Sequence, residues 1–498
     1  MARPADPDLA PATSNLRADG PGLEGIGPEG SGPAGEATTA RQWMGRGAWT
    51  ILDQALFAGS NFLLNIWLAR TLAPAEYGIY TMVGYAGFLL AAVVHTGFIT
   101  EPQLVFGAGR FKAAPRTYLR ALLVGHSVFS VGIAVAYLIA GGVALALGQQ
   151  VMGRACLIMA GTQGAILTMW IMRRACYTQF RPFVAVTGGL IYLGVVLGGL
   201  FVEEWLWGHL TVEVALGLIG LASVAAAIWI YVRLDLPERE PPPASFRAEV
   251  RKQHTDYGRW AAPTGLMEMG HGLLPFLLVP IWGGLEAAGA LRALFNLILP
   301  MIHIYGALGD LLMPTFVQAN ERGTLRRTLA IAMGGLVAAA CVNWVLLGVF
   351  GADLIVLLYD GQYLQYASLC WLLGALPVIG TVVAVLLALL RAMERPRIVF
   401  QARAVAAAMA ATVGVALIYK FAVTGAIASS QLALGTETIF MMVAAWSIWQ
   451  HARPGGPPQI AHAGDGGPRH LREPSTDSGM SADSALHPTL AVPPDDRS

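Results

Sequence analysis

The sequence predicts an all-α integral membrane protein of about twelve transmembrane helices, and three observations carry that expectation. Of its 498 residues, 55% are apolar and only 13% charged, with a mean hydropathy of +0.56. Apolar segments of about 20 residues, the length that crosses a hydrocarbon core of about 30 Å, recur from Trp49 nearly to Trp449. Basic residues gather in alternate connections between those segments. A soluble chain of this length would divide into domains joined by polar linkers. Helices are the open-ended elements that satisfy their own backbone groups in lipid, so no sheet is expected.

Taken in order, spans are expected at 47–69, 79–100, 118–147, 152–172, 183–202, 212–231, 258–281, 293–318, 328–350, 366–390, 398–419 and 425–449. Residues 1–40 are rich in Pro, Gly and Ala without an apolar core, which fits neither a cleaved signal peptide nor a transit helix. The first span is therefore expected to act as an uncleaved anchor. Residues 452–498 form a second polar stretch with too little apolar area to offset the entropy of ordering. The expected organisation is a disordered cytoplasmic tail (1–40), a six-helix bundle (41–232), a cytoplasmic connector rich in Pro and charge (233–257), a second six-helix bundle (258–451) and a disordered cytoplasmic tail (452–498).

Orientation follows from Lys and Arg, which are enriched in cytoplasmic loops. With the N-terminus inside, the even-numbered connections collect Arg110, Lys112, Arg116 and Arg120, then Arg173, Arg174 and Arg181, and so on to Arg391, Arg395, Arg397 and Arg403. The opposite side receives only Arg70, Arg154, Arg292 and Lys420. Both termini are thus expected in the cytoplasm. The net charge of +1 gives no reason to expect nucleic acid, and basic loops serve orientation and contact with membrane lipids first. Cys156, Cys176, Cys341 and Cys370 lie in or beside spans with no close pairing, so neither a disulfide framework nor a metal site is expected.

Self-comparison suggests a duplication. Gly47-Ala48-Trp49 is echoed by Gly258-Arg259-Trp260, Glu76-Tyr77-Gly78 by Glu286-Ala287-Ala288-Gly289, Pro102 by Pro314, and Arg174-Ala175 with Pro182 by Arg391-Ala392 with Pro396. Six spans per repeat put the halves in the same orientation, related by a pseudo-two-fold axis along the membrane normal, with substrate held between them.

Polar groups at membrane depth face a bundle interior or a water-filled cavity. In span one Gln54, Asn61 and Asn65 project within about 40° of one another, flanked by Asp53 and Ser60. Span seven carries Thr264, Glu268, His271 and Pro275 at helical spacing, and span eight carries Asn296, Pro300, His303 and Asp310. Asp53, Gln54, Asn61, Asn65, His271 and His303 are the candidate cavity residues. Glu268 and Asp310 are candidates for ion coupling. Interhelical hydrogen bonding is the competing role for each. The i, i+3 spacing of Glu268 and His271 without further ligands argues against zinc. Close packing is the favoured role of Gly188, Gly189, Gly194, Gly198 and Gly199.

The run Arg46-Gly47-Ala48-Trp49, Asp53-Gln54, Ser60-Asn61-Phe62, Leu68-Ala69-Arg70, Pro74-Ala75-Glu76-Tyr77-Gly78, Glu101-Pro102 and Phe106-Gly107 resembles the opening of bacterial polysaccharide and oligosaccharide (O-antigen type) flippases. These belong to the multidrug, oligosaccharidyl-lipid and polysaccharide exporter superfamily. The resemblance implies a V-shaped pair of bundles in the bacterial inner membrane, alternately exposing a central cavity. It also implies a lipid-linked oligosaccharide as substrate, a precursor of lipopolysaccharide or exopolysaccharide, carried on isoprenoid pyrophosphate. Cofactors are not expected, though proton or sodium coupling occurs in relatives, and a polysaccharide polymerase or other assembly proteins would be partners. The polar stripes suit a saccharide and the apolar spans suit its lipid tail. Rival readings are a multidrug cation exporter or a lipid-linked peptidoglycan precursor flippase of the same superfamily. A membrane glycosyltransferase or polymerase is the rival from another class, but every outward connection is too short for a catalytic domain.

Overall fold

The computed structural model describes residues 33–234, 241–393 and 395–451. Among these residues the chain is helical throughout, without a strand. We number the helices α1 (Pro33–Thr71), α2 (Pro74–Gly107), α3 (Pro115–Ala146), α4 (Gln150–Thr178), α5 (Pro182–Trp207), α6 (Val212–Arg233), α7 (Ala244–Trp282), α8 (Gly284–Glu321), α9 (Leu325–Tyr359), α10 (Leu369–Ala392), α11 (Pro396–Met409) and α12 (Val415–His451). Helix α1 begins inside the stretch expected to be a tail. Residues 1–32 and 452–498 lie outside the described residues.

Proline opens α2, α3, α5 and α11, at a position where its missing N–H removes no helical hydrogen bond. Stops are local as well. Helix α5 ends on Gly208 at φ 68°, and α9 ends where Asp360 and Gly361 take positive φ, the left-handed conformation that turns the chain out of a helix. Connections of three or four residues join α3 to α4, α4 to α5 and α5 to α6, so neighbours in sequence run antiparallel in space.

By length and apolarity nine described segments can cross a membrane, or ten with the bent α7, against twelve expected. The difference has two sources. Asp53, Gln54, Asn61 and Asn65 lower the apolarity of α1 and leave it out of the count. The stretch Arg397–Ile448 counts once although it is 52 residues long, about 78 Å at 1.5 Å per residue, far more than one crossing needs. It breaks at Ala422, where φ is 45° and ψ −115°. Beyond the break the chain doubles back, bringing the Gly425 Cα against the Leu417 carbonyl, where an added Cβ would lie 2.0 Å from that oxygen. Helix α7 bends by 60° between Ala244–Met267 and Gly272–Trp282. The bend comes one turn before Pro275, whose ring removes a hydrogen bond to the preceding turn and crowds its carbonyl.

Helices in lipid associate through close packing because the tails are as apolar as their side chains. Several glycines serve that contact here. An added Cβ would lie 2.7 Å from Ile230 at Gly188, 2.9 Å from Leu56 at Gly189 and 2.6 Å from Leu218 at Gly199, whereas Gly194 and Gly198 face open space. The tightest of these approaches joins two segments whose sequences echo one another, after Pro74 and after Gly284. A Cβ at Gly78 would meet the Leu285 carbonyl oxygen at 1.8 Å, and one at Gly289 would meet the Pro74 carbonyl oxygen at 2.5 Å. Gly78 and Gly289 are 211 positions apart, as are Pro74 and Leu285. The contact is therefore reciprocal, with equivalent residues exchanging roles, as at a two-fold interface.

One apolar core crosses this contact, running from Leu64, Leu68, Met159 and Leu216 to Leu291, Leu294 and Leu376. Gly78→Val or Gly289→Val is expected to cost about 1–3 kcal/mol by overpacking and to lower the melting temperature in detergent, while Gly194→Ala leaves it unchanged. A thermal melt of the three purified variants checks this.

Candidate functional site

The polar stripe of α1 divides between two buried clusters. Near its start Asp53 is fully buried, and its Oδ2 accepts from Arg173 Nη2 at 2.6 Å and from the Tyr177 hydroxyl, both on α4. The Arg173 guanidinium lies over the Phe57 ring, 4.1 Å from its centroid. Gln54, which is exposed, donates from Nε2 to the Tyr177 hydroxyl at 3.3 Å. The charge of Asp53 is thus neutralised inside the protein and is not presented to a ligand. This departs from the expected basic loop: Arg173 sits inside α4, nine-tenths buried.

Three turns further along α1, Asn65 joins a second buried polar network. Its Oδ1 accepts from Arg292 Nε at 3.2 Å and from the Tyr77 hydroxyl at 3.3 Å. Asn296 Nδ2 donates to the same Tyr77 oxygen at 3.0 Å. The Arg292 guanidinium stacks over Tyr85 at 3.6 Å, and the Tyr359 hydroxyl donates to the Ala293 carbonyl at 2.9 Å. Helices α1, α2, α8 and α9 meet here. Arg292 is 5% exposed and Asn296 fully buried. Among the described residues no carboxylate lies within ion-pair distance of Arg292. A buried cation without an anion is normally costly. Here an amide oxygen and the negative face of a tyrosine ring offset part of that cost.

Arg292 was expected at the outer edge of a span beginning at residue 293. The structure corrects this: α8 starts at Gly284, which places Arg292 about 12 Å inside the helix at 1.5 Å per residue.

The remaining candidates fall as follows. Asn61 is half-buried, donates from Nδ2 to the Phe57 carbonyl at 3.0 Å and accepts at its own carbonyl from Asn65 Nδ2 at 2.7 Å. His303 is exposed. The side chains of Glu268, His271 and Asp310 lie outside the described residues. Along α1 the stripe passes from exposed (Gln54) through half-buried (Asn61) to buried (Asn65). Along α8 it passes from buried (Asn296) to exposed (Pro300, His303). The link from Asn65 to Arg292 ties together the buried ends. There α1 is also joined to the end of α9 and the loop after it, by Arg70 Nη1 donating to the Leu357 carbonyl at 3.1 Å and Gln362 Nε2 to the Arg70 carbonyl at 2.5 Å.

The one other buried carboxylate among the described residues, Glu437, also faces an arginine. Glu437 Oε1 lies 3.8 Å from Arg403 Nε. A second polar pair, His95 on α2 and His126 on α3, has ring nitrogens 3.1 Å apart, and His126 reaches Thr168 at 2.9 Å.

With this geometry in view, the solved structures most informative for the chain are transporters. It is similar to the inward-facing conformation of a multidrug resistance MATE family transporter of the MOP superfamily, with a TM-score of 0.63 and 13% identity over 80% of this chain and 96% of that one. It is similar to the lipid II flippase MurJ in its inward closed conformation, with a TM-score of 0.64 and 11% identity over 80% of this chain and 87% of that one. The chain has a MATE and MurJ-like fold. An outward-facing MATE family transporter gives a lower TM-score of 0.53 at 13% identity, over 80% of this chain and 93% of that one. No protein-family model and no curated protein sequence matches significantly. The neighbours that share the MATE and MurJ-like fold are transporters and flippases, not enzymes.

Proposed function

We propose that the protein is a flippase that carries an isoprenoid pyrophosphate-linked oligosaccharide across the bacterial cytoplasmic membrane by alternating access. The observation that carries this reading is Arg292, a buried cation without a carboxylate partner among the described residues, set in the contact between the repeats. Acting with Asn65, Tyr77 and Asn296, it offers a guanidinium to an anionic phosphate and amides and hydroxyls to sugars. A multidrug cation exporter is served less well, because the described buried carboxylates, Asp53 and Glu437, are each paired with an arginine.

In this reading the chain has twelve spans in two six-helix halves about a pseudo-two-fold axis, with both termini cytoplasmic. The reciprocal contact of Gly78 and Gly289 supports the axis. The opposed burial gradients of α1 and α8 support a cavity sealed near Asn65 and Asn296 and open towards Gln54 and His303, on the cytoplasmic side. The higher TM-score against an inward-facing than against an outward-facing MATE family transporter agrees with that state. Proton or sodium coupling, at Glu268 or Asp310, and partnership with a polysaccharide polymerase belong to the same proposal.

The test is translocation of a lipid-linked oligosaccharide by the purified protein in proteoliposomes. Externally added glycan-cleaving enzyme distinguishes the two leaflets. Time-dependent loss of protection is expected with this chain and not with empty vesicles. Translocation of lipid-linked peptidoglycan precursor alone, or export of organic cations alone, would reassign the substrate, and sugar transfer without translocation would overturn the transport reading.

A further inference from the structure

A second candidate site lies away from the α1 and α8 network, where the start of α7 crosses the first third of α3 and the end of α2. The three helices enclose a groove of about 520 Å³. Its walls differ in character. On the α7 side Ala244, Arg247, Ala248, Arg251 and Thr255 line the groove, and their spacing of three, one, three and four puts them on one helical face. Val124, Gly125 and Val128 line the α3 side, with Phe98 and Ile99 of α2 at the floor. His254 closes the inner end. It is buried and held between the Tyr118 hydroxyl at 2.8 Å and the Phe98 carbonyl at 2.8 Å.

The nearby carboxylate of Glu249 is engaged by Arg110 Nη2 at 2.7 Å and by Gln253 Nε2 at 3.0 Å. Among the described residues neither Arg247 nor Arg251 has a carboxylate partner, and both are exposed. The α3 wall faces lipid. Only 11% of the apolar window of α3 is buried, and Val128 is 73% exposed. The apolar strip continues from Val128 through Val131 and Val135 to Leu138, all exposed. Helix α3 has 32 residues, about 48 Å, so its first turns, with Arg116 and Arg120, lie at the membrane surface while the groove descends into the hydrocarbon. A soluble anion would have no use for the valine wall, and a neutral lipid none for the arginines.

From this placement we infer that the groove holds an anionic phospholipid of the surrounding bilayer. Its phosphate rests on Arg247 and Arg251, and one acyl chain lies along Val124, Gly125 and Val128. Occupancy clamps the start of α7, the first helix of the second half, onto α3 of the first, in addition to the His254 bridge. The site is separate from the one proposed for the transported substrate, so the two readings stand or fall independently.

The experiment uses the full chain in nanodiscs of phosphatidylcholine mixed with phosphatidylglycerol, followed by native mass spectrometry of the retained lipid. The wild type is expected to retain phosphatidylglycerol over phosphatidylcholine by about tenfold, since each basic residue near the surface favours anionic lipid. Arg247→Gln with Arg251→Gln is expected to bring the preference near unity. Both arginines are exposed, and monodisperse elution verifies folding. Gly125→Leu tests the acyl wall separately: a Cβ there would meet its nearest neighbour, Ile99, only at 3.7 Å, so the new side chain fills the groove without a clash at Cβ. It is expected to lower retention with the arginines intact. A preference that survives in the double variant overturns the proposal, as does unchanged retention in Gly125→Leu. Equal competition by soluble glycerol phosphate would also overturn it, by showing a phosphate site without a lipid.

Discussion

Arg292→Met is expected to reduce transport at least tenfold while leaving the melting temperature unchanged or higher. The two effects have opposite signs because a buried cation with no anionic partner pays a desolvation cost that an apolar side chain of similar length does not. The guanidinium donates to Asn65 Oδ1 at 3.2 Å and stacks on Tyr85 at 3.6 Å. A hydrogen bond from a charged group is worth about 1.5–3 kcal/mol. Moved from the resting contact onto a phosphate, as the proposed alternating access requires, it corresponds to about 10- to 150-fold in rate at about 1.4 kcal/mol per tenfold. Arg292→Lys keeps the charge but loses the planar fork and the stacking, so an intermediate rate is expected. Initial rates in proteoliposomes, normalised to reconstituted protein, check all three. Should Arg292→Met transport at the wild-type rate, or should its loss follow a fall in melting temperature, Arg292 is a packing residue.

The polar stripes that meet at this network were legible in the sequence because helical periodicity places Gln54, Asn61 and Asn65 on one face whatever surrounds them. The echo of Glu76-Tyr77-Gly78 in Glu286-Ala287-Ala288-Gly289 was legible too, and the structure puts its two glycines, Gly78 and Gly289, against each other. Arg292 was not legible. Basic residues near an apolar boundary mark orientation, and the true start of α8 depends on Gly284 at φ 85° and on docking against α2, a tertiary event. Tyr85, on whose ring Arg292 stacks, and Tyr77, whose hydroxyl shares Asn65 Oδ1 with it, read as ordinary aromatic residues of a span. The break in the last stretch was legible as well: spans were expected at 398–419 and 425–449, and the helix breaks between them at Ala422, although the apolar character alone runs on from 397 to 448.

The partner of Asp53 was hidden for a simpler reason: Arg173 is 120 residues away, with no local pattern linking the two. That pairing predicts a behaviour for Asp53 unlike that of Arg292. Asp53→Asn leaves the Arg173 guanidinium buried against Phe57 without its counter-charge, which costs about 3–5 kcal/mol and is expected to show as lost membrane abundance and a lower melting temperature. Combining it with Arg173→Met removes both charges from the apolar interior and is expected to restore most of the stability, since a buried ion pair and a well-packed apolar replacement are often equivalent. The Tyr177 hydroxyl, which donates to Asp53 and accepts from Gln54 Nε2, retains one partner in the double variant. The pair then clamps α1 to α4, and transport per molecule of folded double variant should stay close to wild type. Thermal melts and normalised transport rates of the two singles and the double form a complete cycle. Restored stability with lost transport would instead place Asp53 among the groups that contact substrate.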